Sequence, residues 1–506
     1  MEDARPSSRR ARREAAHAGG ADIVTGDDAT TSSDAQDAAG DGSDLAAPGL
    51  ADDDAAASAH AGVALAWLSD DEVTPRYAPA DLTASTHPYA VAAPDLLARR
   101  PRRSPVRAGT VAPVLAALGL AGAYAASTLL WPLYAVTPTV TETAIADIAA
   151  PASAVAWPAE GSAAVGIAGF DSVAASTADP SSMASITKIV TSLMILEQMP
   201  LAPGESGPEF AFTARDRQTY YAYLADDESA LNVPVGGSLT QYQMLQGILI
   251  GSAGNYTDRL ASTIWPTDAV FARAARTWLD QHNLPGITIV DPTGIDRGNT
   301  ADPSSLITLA RLALADPVIA EIVRTPSVTL PGAGEVTNTN DLLSDPAVVG
   351  IKTGSLRGTF NLLAAKEQAA GDTTLRAYAV ALGQSTDEAR DGETARLLTD
   401  VLAEASQPRV LPAGTPAGTV STAWGVTVQM ATDADVSLLL WNGASAAVTS
   451  DLSLGDARAA NDAVGTVATK GPLGSATTGV HLTADIPGPD AWWRLTHPLQ
   501  LWGLAD

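Results

Sequence analysis

Ser185-Ile186-Thr187-Lys188 and Lys352-Thr353-Gly354 are the two short runs in this 506-residue chain whose residue types could act together on an acyl group. A serine hydroxyl is a weak nucleophile until a base takes its proton, and lysine can be that base where apolar neighbours disfavour its charged form. Arginine cannot, because it keeps its proton at every pH a protein meets. Lysine is scarce here: Lys188, Lys352, Lys366 and Lys470 are the only four among 30 basic residues. Lys188, three residues after a serine, is where that proton exchange would be needed.

The surrounding pattern says how these residues are placed. Ile186, Ile189, Val190, Leu193, Met194 and Leu196 follow helical spacing, and Pro180-Ser181-Ser182 supplies helix-start chemistry, so Ser185 opens an amphipathic helix. Residues three apart share a helix face, which makes Ser185 and Lys188 neighbours. The first turn also points backbone N–H groups and the positive end of the helix dipole at negative charge developing on an attacked carbonyl. Downstream, Val348-Val349-Gly350-Ile351 and Phe360-Asn361-Leu362-Leu363 flank Lys352-Thr353-Gly354, which reads as a strand, a turn and a returning strand. Glycine there leaves backbone open to a substrate.

Other chemistries find little support. Of six histidines only His282 lies between residue 153 and residue 405, in a helix-ending loop, so a Ser-His-Asp triad is not expected. Asp258, Asp291 and Asp302 have no compact ligand spacing and read as helix or turn residues; no metal and no cofactor is expected. The absence of cysteine removes thiolate chemistry and disulfides, and a net charge of -27 argues against a nucleic-acid partner.

Composition divides the chain. Residues 1–98, rich in Ala, Asp, Gly and Ser, lack the apolar pattern needed to offset ordering entropy and are expected to be a disordered acidic tail. Arg99, Arg100, Arg102, Arg103 and Arg107 precede an uncharged run over 108–136, long enough for one transmembrane helix. With the basic cluster on its N-terminal side, the positive-inside rule places the tail in the cytoplasm and the remainder outside a cell membrane. A retained anchor fits this position better than a signal peptide. Residues 137–153 read as a linker, 154–405 as a catalytic domain, and 406–506 as a small all-β domain, in which Val426, Val428, Met430, Val436, Leu438 and Leu440 alternate. Trp424, Trp441, Trp492, Trp493 and Trp502 in this last part are expected to pack its core and edges rather than to stack on glycan.

With both motifs in this order, residues 155–402 resemble the serine-type D-alanyl-D-alanine carboxypeptidases, low-molecular-mass penicillin-binding proteins of the peptidase S11 type. Met183 to Thr191, Asp291-Pro292-Thr293-Gly294 and Thr337-Asn338-Thr339-Asn340-Asp341-Leu342-Leu343 are also similar to segments of that family. The resemblance implies an α/β (α+β) fold of the serine β-lactamase/transpeptidase kind. It implies Ser185 as the acylated nucleophile, Lys188 as its base, and Ser252 as the proton relay to the leaving amine. Lys352 and Thr353, with Gly354 beside them, would hold the substrate carboxylate, assisted by Arg390. The N–H groups of Ser185 and Ser355 would form the oxyanion hole. The substrate implied is a peptidoglycan stem peptide ending in D-Ala-D-Ala, with β-lactams as covalent inhibitors. The second motif departs from the pattern: Ser252-Ala253-Gly254 has glycine where the family has asparagine, and Asn255 stands one position late as the candidate substitute.

Two other readings stay open. A β-lactamase would use the same motif order with a second carboxylate base in a Glu-x-x-x-Asn loop, of which no convincing equivalent is found. A non-catalytic envelope-binding protein would keep the fold after losing the chemistry, with Gly254 as the mark of that loss.

Overall fold

A computed structural model describes residues 108–505; the acidic tail and the arginine cluster lie outside the described residues. Strands Val348–Leu356, Thr359–Ala370, Thr373–Gln384, Ser162–Ile167 and Val173–Ala175 stand in that order in one antiparallel sheet. Successive side chains of a strand point to opposite faces. Ala164, Leu363, Ala365 and Val380 therefore enter one core, with Ile189, Leu245, Leu260, Phe271 and Leu306 from the helices on that side. Ala163, Val165, Leu362, Ala364 and Ala379 enter a second core under helix Asp387–Ala405. Small residues bring the layers close: a Cβ on Gly166 would lie 2.7 Å from Ile307 Cγ2. A single antiparallel sheet with helices on both faces is the α+β arrangement.

Two local expectations are refined. Ser185 sits in a 3-10 turn, Ala184–Ile186, and the α-helix starts after it as Thr187–Gln198. That helix is not amphipathic, since every residue from Thr187 to Leu196 is buried; a helix surrounded on all sides belongs to the core, and its polar members must find partners there. The Lys352 hairpin has the expected form, with Lys352 opposite Leu363 and Gly354 opposite Asn361. Arg357 and Gly358 turn it, both at positive φ (51° and 80°), as a two-residue hairpin loop needs.

The β domain draws on both sides of the α+β body. Its seven-stranded sheet runs Thr139–Glu142, Pro416–Ser421, Thr427–Thr432, Gly474–Leu482, Ala463–Gly471, Ser445–Leu452, Ile148–Ala149. The first and last of these come from the stretch that composition marks as a linker. Their partners lie far down the chain, so no local periodicity announces them. Val420, Val428, Met430, Val467 and Val480 fill this domain's core. The domain ends in two short helices, Ala491–Thr496 and Pro498–Leu501, where only strands were expected. Helix Ala108–Leu130 is the one described helix long and apolar enough to cross a membrane.

Candidate active site

The turn carrying Ser185 is gripped from three directions. Asn361, opposite Gly354 in the hairpin, donates its amide to Ser182 O at 3.0 Å and accepts Gly383 N–H at 2.8 Å, tying the segment before Ser185 to the sheet. Gly294, at φ 81°, lies under the turn so closely that a Cβ would fall 1.9 Å from Ala184 O. Gly354 lies against its other side: a Cβ there would stand 2.9 Å from Met183 O and 3.2 Å from Ser185 N. Glycine at these two positions is a packing requirement, and it lets the edge strand run directly beside the Ser185 backbone.

Lys188 meets Ser185 as the i, i+3 spacing demands. Its Nζ donates to Ser185 Oγ at 2.8 Å and to the carbonyl of Thr293 at 2.7 Å. Burial lowers its pKa from 10.5 to about 8, against the opposing pull of the Asp291 and Glu228 carboxylates. That is roughly 3 kcal/mol in favour of the neutral amine. Asp291 is the hub of the turn that offers the Thr293 carbonyl. It accepts the N–H groups of Thr293, Gly294 and Asp296 at 2.6, 2.9 and 2.8 Å, and the Asn299 amide at 2.8 Å. Asp291 is thus a turn residue, as its sequence context indicates. Asp302 likewise caps helix Pro303–Ala315, and His282 closes helix Asp268–Gln281 with Nδ1 at 2.8 Å from Trp278 O.

Lys352 is as deeply buried as Lys188. Its pKa is pushed well below 10.5, first by burial, then by the positive charges of Lys188 and Arg390. Lys352 thus lies within electrostatic reach of Lys188 and Arg390, and a gathering of basic groups favours a bound anion. Arg390 is buried and bound to Asp391, with Nε at 2.8 Å from Oδ1, and to Asp387. Thr353 Oγ1 lies 2.5 Å from Thr339 Oγ1, and Thr339 N–H reaches Ile250 O at 3.4 Å, which links the Lys352 strand to the loop before Ser252. Ser355 is exposed at the next strand position.

The second motif is built differently from expectation. Ser252 is buried in a left-handed conformation (φ 54°), and among the described residues no hydrogen bond joins it to Ser185 or Lys188. Asn255 does not face the site. Its Oδ1 accepts Leu231 N–H at 3.0 Å and its Nδ2 donates to Leu231 O at 2.8 Å, so both amide atoms are spent on one backbone unit. This corrects its assignment to the substrate. Further bonds, Gly254 N–H to Ser229 O at 2.8 Å and Tyr256 Oη to Asn232 O at 2.6 Å, staple the same segment to the helix start. The position of the missing asparagine is closed as well, because a Cβ on Gly254 would lie 2.4 Å from Tyr223 Cε1. Tyr223 in turn donates to Asp258.

Lys188 is thus bonded directly to Ser185 and Gly354 packs beside the Ser185 backbone; Lys352 feels the charges of Lys188 and Arg390 and lies 3.4 Å from Thr353 Oγ1; and Asn255 is bound to Leu231 instead. Thr293, Asp291, Thr339 and Asn361 escaped assignment from residue type. The first three lie in the two additional segments already similar to the carboxypeptidase family, the one signal that singled them out.

A hydroxyl hydrogen-bonded to a lysine that burial biases toward the amine, beside an edge strand and a cluster of cations, is suited to acyl transfer from a substrate bearing a carboxylate. No protein-family profile matches the chain. Among curated proteins it is similar to D-alanyl-D-alanine carboxypeptidase DacB2 of Mycobacterium tuberculosis, 28% identical over 183 residues, which are 34% of this chain and 57% of the relative. The chain therefore spans little more than half the length of that relative. Among solved structures it is similar to the Streptomyces K15 DD-transpeptidase, at 21% identity over 49% of this chain and 100% of that one, with a TM-score of 0.43. It is also similar to penicillin-binding protein 5 of Haemophilus influenzae, at 16% identity over 66% of this chain and 100% of that one, with a TM-score of 0.45.

Proposed function

We propose that this chain is a membrane-anchored serine D-Ala-D-Ala carboxypeptidase that trims peptidoglycan stem peptides. The observation that carries the proposal is the 2.8 Å bond from Lys188 Nζ to Ser185 Oγ, made by a lysine whose pKa is brought down to about 8. Neutral Lys188 takes the hydroxyl proton as Ser185 Oγ attacks the carbonyl between the two terminal D-alanines. The N–H groups of Ser185 and Ser355 receive the developing oxyanion. The C–N bond breaks, the ester C–O bond remains, and the departing D-alanine takes a proton by way of Ser252. Water then cleaves the ester and restores the hydroxyl. Lys352, Thr353 and Arg390 hold the terminal carboxylate, whose negative charge relieves the mutual repulsion of the cations. β-Lactams acylate the same serine.

Helix Ala108–Leu130 serves as the anchor, with the acidic tail in the cytoplasm and the α+β body outside, where stem peptides are found. Incubating the full chain with a fluorescent penicillin, followed by peptide mapping, tests the site: label on the peptide containing Ser185, absent in Ser185→Ala, supports it. Label elsewhere, or none, overturns it.

A further inference from the structure

We propose that the two C-terminal helices and the exit of the apolar helix form a collar seated in the membrane interface, fixing how the β domain stands on the lipid surface. This rests on the reading of helix Ala108–Leu130 as a membrane anchor. Four direct contacts join the elements. Tyr124 Oη donates to Leu495 O at 2.6 Å; Arg494 donates to Leu129 O at 3.3 Å and to Trp131 O at 2.9 Å; and Trp131 meets Trp502 edge-on at 6.3 Å. Arg494 thereby satisfies carbonyls that the helix end leaves without partners, and its charge complements the negative end of the helix dipole.

The depth of these contacts points to lipid. A 22-residue apolar span is about 33 Å long against a hydrocarbon core of about 30 Å, so Leu130 falls near the core boundary. Tyr124, six residues earlier, then lies about 9 Å deeper along the axis. An amphipathic helix at the interface sinks its apolar face by about 5–10 Å. At that level water is scarce, and the Tyr124 hydroxyl supplies the partner that the Leu495 carbonyl needs.

The surface around these contacts has matching chemistry. Trp492 and Leu504 are 73% and 71% exposed, and Leu499, Leu130, Trp131 and Tyr134 are exposed as well. Tryptophan and tyrosine beside an arginine at a helix exit make up the aromatic belt of a membrane–water boundary. The expectation that the C-terminal tryptophans pack the core and edges of the β domain is not met at two of them: Trp441 packs edge-on to Phe170 in the core under helix Asp387–Ala405, and Trp492 is exposed. A cleft of about 400 Å³ lined by Trp424, Trp492, Trp493 and His497 could by composition stack on glycan. Helix Ala491–Thr496, which gives Trp492 and Trp493 to this cleft, also bonds the apolar helix through Arg494 and Leu495, and that favours lipid.

The chain has no cysteine, so single introduced cysteines can be labelled uniquely. Full-length Trp492→Cys, Leu504→Cys, Leu120→Cys and Glu335→Cys would each carry a polarity-sensitive fluorophore in phosphatidylethanolamine/phosphatidylglycerol vesicles containing lipids with a nitroxide near the headgroup. Penicillin labelling of each variant checks that it is folded. The expected result is loss of most fluorescence at positions 492 and 504, with a blue-shifted, bilayer-protected label at 120 and no quenching at 335. A buried label at 120 with unquenched labels at 492 and 504 overturns the collar and leaves the anchor standing. A water-exposed label at 120 overturns the anchor and the collar with it. A label at 492 that ignores lipid but shifts on adding soluble chitin oligosaccharides overturns the collar in favour of a glycan platform.

Discussion

The role proposed for Lys188, a neutral base, carries a pH dependence that can be worked out in advance. With its pKa lowered to about 8, the competent amine is the deprotonated form, present above that pH and lost as pH falls through it. The neutral fraction is then about 1% at pH 6, about 9% at pH 7 and about half at pH 8. The second-order rate of acylation by a penicillin, read by stopped labelling on gels, should therefore rise close to tenfold per unit from pH 6 to 7 and level off above about pH 9. Lys352 opposes this trend: its pKa is also lowered, and only its protonated form attracts a carboxylate, so the rate falls as Lys352 loses its proton. Replacing the base by a side chain that keeps its proton tests the same point. In Lys188→Arg the neutral fraction at pH 8 drops to about one part in 10⁵, which removes the whole general-base contribution of about 10²- to 10⁴-fold. A rate flat between pH 6 and 8 in the wild type, or a folded Lys188→Arg within tenfold of it, would refute proton transfer to Lys188.

Other substitutions probe the scaffold. Gly354→Val should abolish penicillin labelling while thermal melting stays cooperative, because its Cβ would stand 2.9 Å from Met183 O and 3.2 Å from Ser185 N, beside the nucleophile itself. Gly254→Asn should not restore a stronger enzyme. Its side chain meets Tyr223 at 2.4 Å, so a loss of about 1–3 kcal/mol in urea unfolding is expected, as for overpacking. Asn255→Leu removes both bonds to Leu231 and leaves the N–H and C=O of that half-buried residue without the amide, costing about 1–3 kcal/mol by the same assay. If Asn255→Leu instead spared stability and raised KM selectively, Asn255 would belong to the substrate after all.

Much of the α+β body was legible because its signals are local. The Lys352 hairpin announces itself by alternation around a glycine-containing turn, and Ser185 and Lys188 are neighbours by helical geometry alone. Apolar spacing puts the start of that helix at Ser185, two residues before the α-helix begins, since a 3-10 turn and an α-helix share the same spacing over so short a run. The linker strands and Asn255 were illegible for another reason. Thr139–Glu142 is a strand only because Pro416–Ser421 offers it an edge, and Asn255 turns from the site only because Leu231 presents a matching backbone unit. Neither partner is encoded nearby. The tryptophans were divided by contacts as well: composition does not separate a core Trp441 from an exposed Trp492.

Release of D-alanine from a diacetylated tripeptide ending in Lys-D-Ala-D-Ala, measured for the full chain beside Ser185→Ala, tests the central claim most directly. Steady release by the wild type and none above background by Ser185→Ala is the predicted result. No release by a wild-type protein that is folded, or equal release by both, would contradict it.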